Sequence, residues 1–191
     1  MKRTLITCSI FEAELKHVLA GSSCEVDIKW LPAGLHCDLD MLEKSLTELL
    51  EASKSEGRGL RLLIGSGCLP QMKELAKSYE IPVLSEKNCV ESLLGPERLR
   101  ALEQNKTMVI TPSWIRKVFL APDGVKRFLG WDNTDFRINF GRYDRLLVLE
   151  AGLEPLSDEE TLEFFEIAEV PIETEEIDLN HFKEVMNRFL A

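Results

Sequence analysis

Short runs of apolar, often β-branched residues alternate along the chain with longer stretches whose apolar residues recur every three or four positions. The first pattern predicts buried strands, and the second predicts amphipathic helices. The run at residues 5–10 predicts the first strand. The pattern at residues 12–20 predicts a helix that ends at Gly21, a residue suited to the position after a helix.

The same alternation continues almost to the C-terminus. Further strands are predicted at residues 24–31, 60–64, 81–84, 107–111, 145–150 and 168–172. Helices are predicted at residues 39–53, 70–79, 88–94, 97–104, from 112 onwards, in two pieces around Gly130 within 123–139, and at 156–165 and 179–190. This order predicts an α/β fold: a single three-layer domain over residues 1–191 with a mostly parallel, Rossmann-like sheet.

Composition narrows the classes of function. A length of 191 residues suits one domain, and the net charge of −10 disfavours binding to nucleic acids or anionic membranes. Residues 150–178 are rich in acids and contain no Lys or Arg. A solvated surface explains this stretch, and a docking face for a basic partner is the alternative.

The chain lacks an apolar run of about 18 residues, the length needed to span a bilayer. Its short apolar start is followed at once by Glu12, Glu14 and Lys16, so we interpret it as a strand of a cytoplasmic protein. The five cysteines are odd in number and no export signal accompanies them. A disulfide scaffold is therefore not expected, and metal binding, reactive thiols or plain burial remain.

Four residues that can bind metals follow successive predicted strands. Cys8 ends the first strand, His36 follows the second, Cys68 the third and Cys89 the fourth. The C-terminal ends of parallel strands lie on one edge of a sheet, where open α/β folds bind their ligands. We therefore expect these four side chains to share a site.

Three thiols and an imidazole suit a soft or borderline metal. A Cys₃His set can hold zinc, and the same ligand types can hold an iron–sulfur cluster. The prediction depends on topology, since the chain has no CxxC pair and no zinc-finger spacing. Cys37 is a fifth ligand, a resolving thiol or a bystander, and simple burial would also explain Cys8. Cys24 is expected in the core.

A glycine-rich turn adds a second feature to this edge. Gly65 and Gly67 precede Cys68, and a predicted helix begins near Pro70. Backbone N–H groups there could hold an anion or lower the pKa of Cys68. The third glycine of a dinucleotide-binding motif is missing. Trp114 is a candidate pocket wall, with a core aromatic as the alternative.

Several segments together resemble the DUF1638 family. They are TCSIFEAEL, LHCDLDMLEKSL, IGSGC, NCVESLLG and TPSW, and the resemblance extends over roughly residues 4–150. The chain departs from the family pattern at Ile64 and Leu69 around the glycine turn and at Asn88 before Cys89. An arginine of the family pattern is also absent upstream of Cys89.

The resemblance implies an association with corrinoid-dependent methyltransferase systems of anaerobes, and hence corrinoid or methyltransferase proteins as partners. The chain lacks the DxHxxG pattern, so cobalamin bound through a lower-ligand histidine is not expected. Three hypotheses follow: a zinc or iron–sulfur accessory protein, a metal-free module that binds a small molecule or a partner, and a thiol enzyme using Cys68 with His36 as base. Substrate, catalysis and oligomeric state are left open.

Overall fold

The computed structural model describes residues 3–21, 24–122, 130 and 132–191. The chain divides into two compact units: unit 1 comprises Met1–Leu93 and Leu179–Ala191, and unit 2 comprises Leu94–Asp178. Each unit has its own three-stranded parallel sheet, interleaved in sequence with helices. The α/β class and its Rossmann-like alternation are confirmed, with the strands divided between two sheets. A single domain over residues 1–191 stays a prediction.

The elements of both units are named in chain order. The strands are β1 (Arg3–Cys8), β2 (Val26–Leu31), β3 (Leu60–Leu63), β4 (Thr107–Ile110), β5 (Arg145–Glu150) and β6 (Ile172–Glu176). The α-helices are α1 (Glu12–Leu19), α2 (Leu39–Ala52), α3 (Met72–Ser78), α4 (Cys89–Leu94), α5 (Pro96–Gln104), α6 (Pro112–Trp114), α7 (Asn133–Phe140), α8 (Asp158–Ala168) and α9 (Asn180–Leu190). A π-helical turn, Ile115–Phe119, follows α6.

The sheet of unit 1 has the strand order β2-β1-β3, and both pairings are parallel. β1 is central and its Leu5 and Ile6 are fully buried, which agrees with the apolar run that predicted it. The strand predicted at residues 81–84 is reduced to a parallel bridge between Leu62 and Val83. Pro82 has no N–H to donate to a ladder, so the pairing there stays short.

The helices of unit 1 follow the predicted apolar spacing. Asp38 caps α2, because its Oδ1 accepts a hydrogen bond of 3.0 Å from the N–H of Met41. The apolar stripe of α2 is buried at Leu42, Leu46 and Leu50. The closing helix α9 packs on the start of the chain, where the ring of Phe182 stacks on that of Phe11 at 5.1 Å.

The sheet of unit 2 has the order β4-β5-β6 and is also parallel. Arg116 of the π-helical turn fixes the start of α8: its Nε donates to Oε1 of Glu160 at 2.5 Å and its Nη2 donates to Oε2 at 2.8 Å. The same guanidinium donates to the backbone oxygens of Glu154 and Pro155 at 3.0 and 2.7 Å. One arginine therefore joins the π-helical turn, the loop after β5 and α8.

One strand lies later in the chain than predicted. The apolar residues at 168–172 predicted β6, but α8 continues to Ala168 and Glu169 then adopts a left-handed conformation with φ of 52°. Ala168 and Val170 are buried at this helix end, so they are apolar because they pack in the turn after α8 and not because they form a strand. β6 is instead the acidic segment Ile172–Glu176 at the end of the strand order, where charged residues are usual.

Of the two helical pieces predicted around Gly130, α7 corresponds to the second, and the first lies largely outside the described residues. Within the described ranges, none of the helices is long and apolar enough to cross a membrane.

Candidate functional site

The C-terminal edge of the unit 1 sheet carries the residues that the sequence singled out. Cys8 is the last residue of β1 and pairs in register with Leu31, the last residue of β2. His36 lies in a 3-10 turn, Leu35–Cys37, that begins after Gly34 with φ of 85°. Cys68 follows β3. All these positions belong to the same edge because the three strands are parallel.

The loops after β1 and β2 are tied together at this edge. The N–H of Ala33 donates to Oγ of Ser9 at 3.0 Å, and the thiol of Cys8 donates to the backbone oxygen of Pro32 at 3.9 Å. Cys24 precedes β2 and therefore lies at the opposite, N-terminal edge. The sequence expected Cys24 in the core, whereas it is half-buried.

The glycine turn is joined to the segment that leads into α4. The N–H of Ser66 donates to the backbone oxygen of Glu86, and the N–H of Gly67 donates to that of Lys87, both at 2.9 Å. A Cβ atom on Gly65 would lie 2.5 Å from Cα of Asn88. Cys89 directly follows this segment as the first residue of α4, so the turn holding Cys68 and the start of α4 are held side by side.

These hydrogen bonds bear on the anion-binding prediction for Gly65 and Gly67. The N–H groups of Ser66 and Gly67 already donate to backbone oxygens, and the N–H of Cys68 donates to the backbone oxygen of Gly65 at 3.0 Å. An anion would have to replace those contacts. The glycines therefore allow the turn to pack closely against the segment before Cys89. Their predicted role in binding an anion or another ligand stays a prediction.

Burial favours the uncharged forms of Cys68, His36 and Cys37. Burial raises the pKa of Cys68 to about 11, and the nearby charge of Cys8 adds to the rise. Burial also lowers the pKa of His36 and raises that of Cys37. At pH 7 Cys68 is a protonated thiol and His36 a neutral imidazole.

The predicted ligands do not form a ready coordination group. Among the described residues, no three His, Cys, Asp or Glu side chains gather closely enough to hold a metal ion. All five cysteines are half-buried and none forms a disulfide. The fold thus brings the segments with Cys8, His36, Cys68 and Cys89 to one edge of unit 1, but it does not bring their side chains into one ligand set. The metal site stays a prediction.

Glu86 is a buried carboxylate beside the glycine turn that the sequence pattern did not reveal. Its side chain is only 9% exposed, and its Oε1 accepts a hydrogen bond of 2.5 Å from Nη2 of Arg188 in α9. Its Oε2 accepts from Oγ of Ser85 at 2.8 Å. A lone acid in a polar segment carries no signal of burial, because its partner is 102 positions away.

Trp114 belongs to unit 2 and is half-buried at the end of α6. Thr111 caps this short helix, since its Oγ1 accepts from the N–H of Trp114 at 3.4 Å. The ring of Trp114 lies 5.8 Å from that of Phe119, which in turn packs against Phe140 and Phe164. These contacts agree with a role in an aromatic cluster, and the pocket-wall role stays a prediction.

The fold and its thiol-bearing sheet edge define an α/β protein of Rossmann-like organisation. Residues 30–186 match the family model described as a protein of unknown function, DUF1638, and the chain belongs to that family. The match includes His36, Cys68, Cys89 and Trp114, while Cys8 lies before it. Neither a curated protein nor a solved structure is significantly similar to the chain.

Proposed function

We propose that unit 1 is a metal-binding module whose C-terminal sheet edge takes up zinc or an iron–sulfur cluster through Cys8, His36, Cys68 and Cys89. The observation that carries this proposal is the topology of the edge. The C-terminal ends of β1, β2 and β3 lie on this edge, and the segment before Cys89 is hydrogen-bonded to the glycine turn, so each of the four proposed ligands ends or follows a segment at this edge. The donor set, three thiols and an imidazole, has the chemistry of a tetrahedral zinc or cluster site.

The protonation states support uptake of a metal with release of protons. A thiol of pKa about 11, such as Cys68, must lose its proton to bind, and the metal supplies the energy for that loss. His36, whose pKa is lowered by burial, is neutral and can bind without losing a proton. Since the described side chains are not grouped, metal binding must draw them together. Because the metal binds the folded state in this proposal, its binding stabilises unit 1.

The module serves as an accessory of one-carbon metabolism in this proposal, acting beside corrinoid-dependent methyl transfer. The resemblance to DUF1638 sequences supports this context. The chain lacks the DxHxxG pattern, so the proposal gives this chain no corrinoid bound through a lower-ligand histidine, and the corrinoid is that of the partner protein. With a metal bound, a thiolate of the edge would take a methyl group from the partner's methylated corrinoid, the S–C bond forming as the Co–C bond breaks and its electron pair stays on cobalt; alternatively, the bound metal would aid electron transfer to that partner. Four protein ligands would close a zinc site, so methyl transfer requires one of them to be labile.

The test is to purify the protein without oxygen and to measure bound metals and acid-labile sulfide per chain. Cys8→Ser and Cys68→Ser each remove one proposed ligand and should lower the content at least severalfold. Cys24→Ser is the matched control, because Cys24 lies at the opposite edge of the same sheet. Full metal content in the two ligand variants would overturn the proposal.

A metal-free binding module is the second candidate, and one observation favours it: the described residues contain no group arranged to hold a metal. In that case the thiols of the edge stay protonated, and the edge binds a small molecule or a partner protein. The test is mass spectrometry of small molecules released by denaturing the purified protein. A stoichiometric compound in metal-free protein would support this candidate. The thiol-enzyme hypothesis is disfavoured, because a thiol of pKa about 11 is a poor nucleophile at neutral pH.

A further inference from the structure

Several acids of unit 2 pair with arginines of the same unit: Glu160 with Arg116, Glu169 with Arg137, Glu173 with Arg145 and Glu175 with Arg98. Those acids have a structural explanation, since each joins two elements of the unit. Other acids of unit 2 lie on α8, which contains no basic residue.

The outward side of α8 combines exposed acids with exposed apolar residues. Leu162 is 61% exposed and Phe165 is 44% exposed, although Phe164 and Ala168 of the same helix are buried. Leu162 and Phe165 are three positions apart and therefore neighbours on one helix face. Four exposed acids surround them, and in the described part of the chain none forms an ion pair: Asp158, Glu159, Glu163 and Glu166.

Solubility alone does not explain this combination. Asp158 and Glu159 stabilise the helix dipole in the first turn, but Glu163 and Glu166 lie beyond it. Single exposed apolar residues are common, whereas contiguous apolar patches rimmed by polar residues are typical of interaction surfaces, and Leu162 and Phe165 lie side by side within a rim of acids. α7 packs beside α8, and its Arg137 pairs with Glu169 while its Ile138 is 70% exposed. The apolar exposure is therefore concentrated in this part of unit 2.

We propose that the outward face of α8, with Leu162 and Phe165 as anchors and Glu163 and Glu166 beside them, docks a basic amphipathic helix of a partner protein. Charge complementarity selects the occupant: lysines or arginines flanking an apolar ridge would meet the acids while the ridge covers the two anchors. The partner segment is a helix in this proposal because the docking face belongs to a helix, and side-chain rows of a second helix can pack between those of α8. This proposal goes beyond the metal module and does not depend on it.

The experiment uses the full chain and a synthetic Lys/Leu amphipathic helix of about five turns as the probe. We expect fluorescence anisotropy to give a Kd of about 1–10 µM at low salt. A probe of the same composition with scrambled apolar positions should bind at least about tenfold more weakly. Affinity should fall with added salt, since the charges are exposed.

Variants locate the binding on α8. The double variant Leu162→Ser, Phe165→Ser should bind the probe about tenfold more weakly or worse. The matched apolar control is Leu39→Ser with Met41→Ser, whose side chains in α2 are 44% and 43% exposed. The double variant Glu163→Gln, Glu166→Gln should reduce the salt dependence of probe binding. Its control, Glu48→Gln with Glu103→Gln, changes the net charge equally at other exposed sites and should leave that salt dependence unchanged. Circular dichroism checks that each variant is folded.

Two outcomes would overturn the proposal. Equal loss of affinity in the α8 serine variant and its α2 control, with equal loss of salt dependence in the two glutamine variants, would mean that the probe does not bind at α8. Sedimentation could instead show a concentration-dependent dimer that is lost in the Leu162→Ser, Phe165→Ser variant. That result would assign the face to a second copy of the chain.

Discussion

A Cβ atom on Gly65 would lie 2.3 Å from the backbone oxygen of Lys87. This distance is far below any contact that real Cβ atoms make, and the obstacle is backbone, which cannot rotate away as a side-chain end can. The glycine turn after β3 and the segment before Cys89 can therefore approach only because residue 65 lacks a side chain.

Gly65→Ala should destabilise unit 1 by about 1–3 kcal/mol, because the methyl group forces the two segments apart. Urea unfolding followed by circular dichroism measures the change. The metal content of the variant should fall as well, since Cys89 follows the displaced segment.

Gly21→Ala is the control for that substitution. A Cβ at Gly21 meets nothing within 4 Å, so this change should alter stability by no more than about 0.5 kcal/mol. If the two alanine variants unfolded at the same urea concentration, close approach of the backbone at Gly65 would not be the reason for its glycine.

Arg188→Gln should weaken the attachment of α9 to the rest of unit 1. It removes the cation from the buried carboxylate of Glu86, and a charged hydrogen bond of this kind is worth about 1.5–3 kcal/mol in a protected site. Because the Arg188 side chain is 63% exposed, solvent screening reduces the expected loss to about 1 kcal/mol.

Thermal unfolding measures this loss, and Arg142→Gln is its control. The guanidinium of Arg142 donates to the hydroxyl of the adjacent Tyr143 and holds no buried acid, so its removal should leave the melting temperature almost unchanged. An unchanged melting temperature in Arg188→Gln would contradict a stabilising role of the Glu86 contact.

Local sequence patterns predicted much of this fold because most elements are determined locally. The apolar spacing within residues 39–53 predicted α2, Leu39–Ala52, almost to its ends. The shift of β6 could not be predicted from the apolar pattern. The last turn of α8 buries Ala168 and Val170, while pairing with β5 creates a strand from acidic residues. The division of the strands into two sheets depends on long-range pairing that local periodicity does not encode.

The candidate site was predictable in its topology and not in its chemistry. Cys8, at the end of a buried strand, could be assigned to the C-terminal edge from sequence order alone. The raised pKa of Cys68 depends on burial and on Cys8, 60 positions earlier in the chain, and the Glu86–Arg188 pair depends on α9 returning to unit 1. Such relationships arise only when distant segments pack.

The Glu160–Arg116 pair should stabilise the fold at neutral pH and should lose this effect in acid. Hydrogen bonding to Arg116 lowers the pKa of Glu160 from its ordinary value of 4.5 to about 2. A carboxyl whose pKa is lower in the folded state contributes its full stability above about pH 4.5 and loses it as the pH falls through about 2. Both side chains are somewhat under a third exposed, so the contribution is about 1–2 kcal/mol.

Arg116→Gln should therefore lower the free energy of unfolding at pH 7, and its difference from the parent should shrink as the pH falls from 4.5 towards 2. Urea unfolding at a series of pH values measures this difference. Arg98→Gln removes the more exposed pair with Glu175 and should have the smaller effect at every pH. A constant difference between Arg116→Gln and the parent from pH 7 to pH 2 would exclude Glu160 as its source.

Alkylation of Cys68 should be slow at neutral pH and should accelerate as the pH approaches 11. Burial is the main cause of its raised pKa and Cys8 the second, so only about one thiol in ten thousand is ionised at pH 7. Iodoacetamide labelling of metal-free protein, followed by peptide mass spectrometry across pH 7–11, measures the rate at this residue. Cys8→Ser removes the repelling charge and should move the midpoint to lower pH. Rapid labelling of Cys68 at pH 7 in the parent protein would revive the thiol-enzyme hypothesis, because it would require an ionised thiol that burial disfavours.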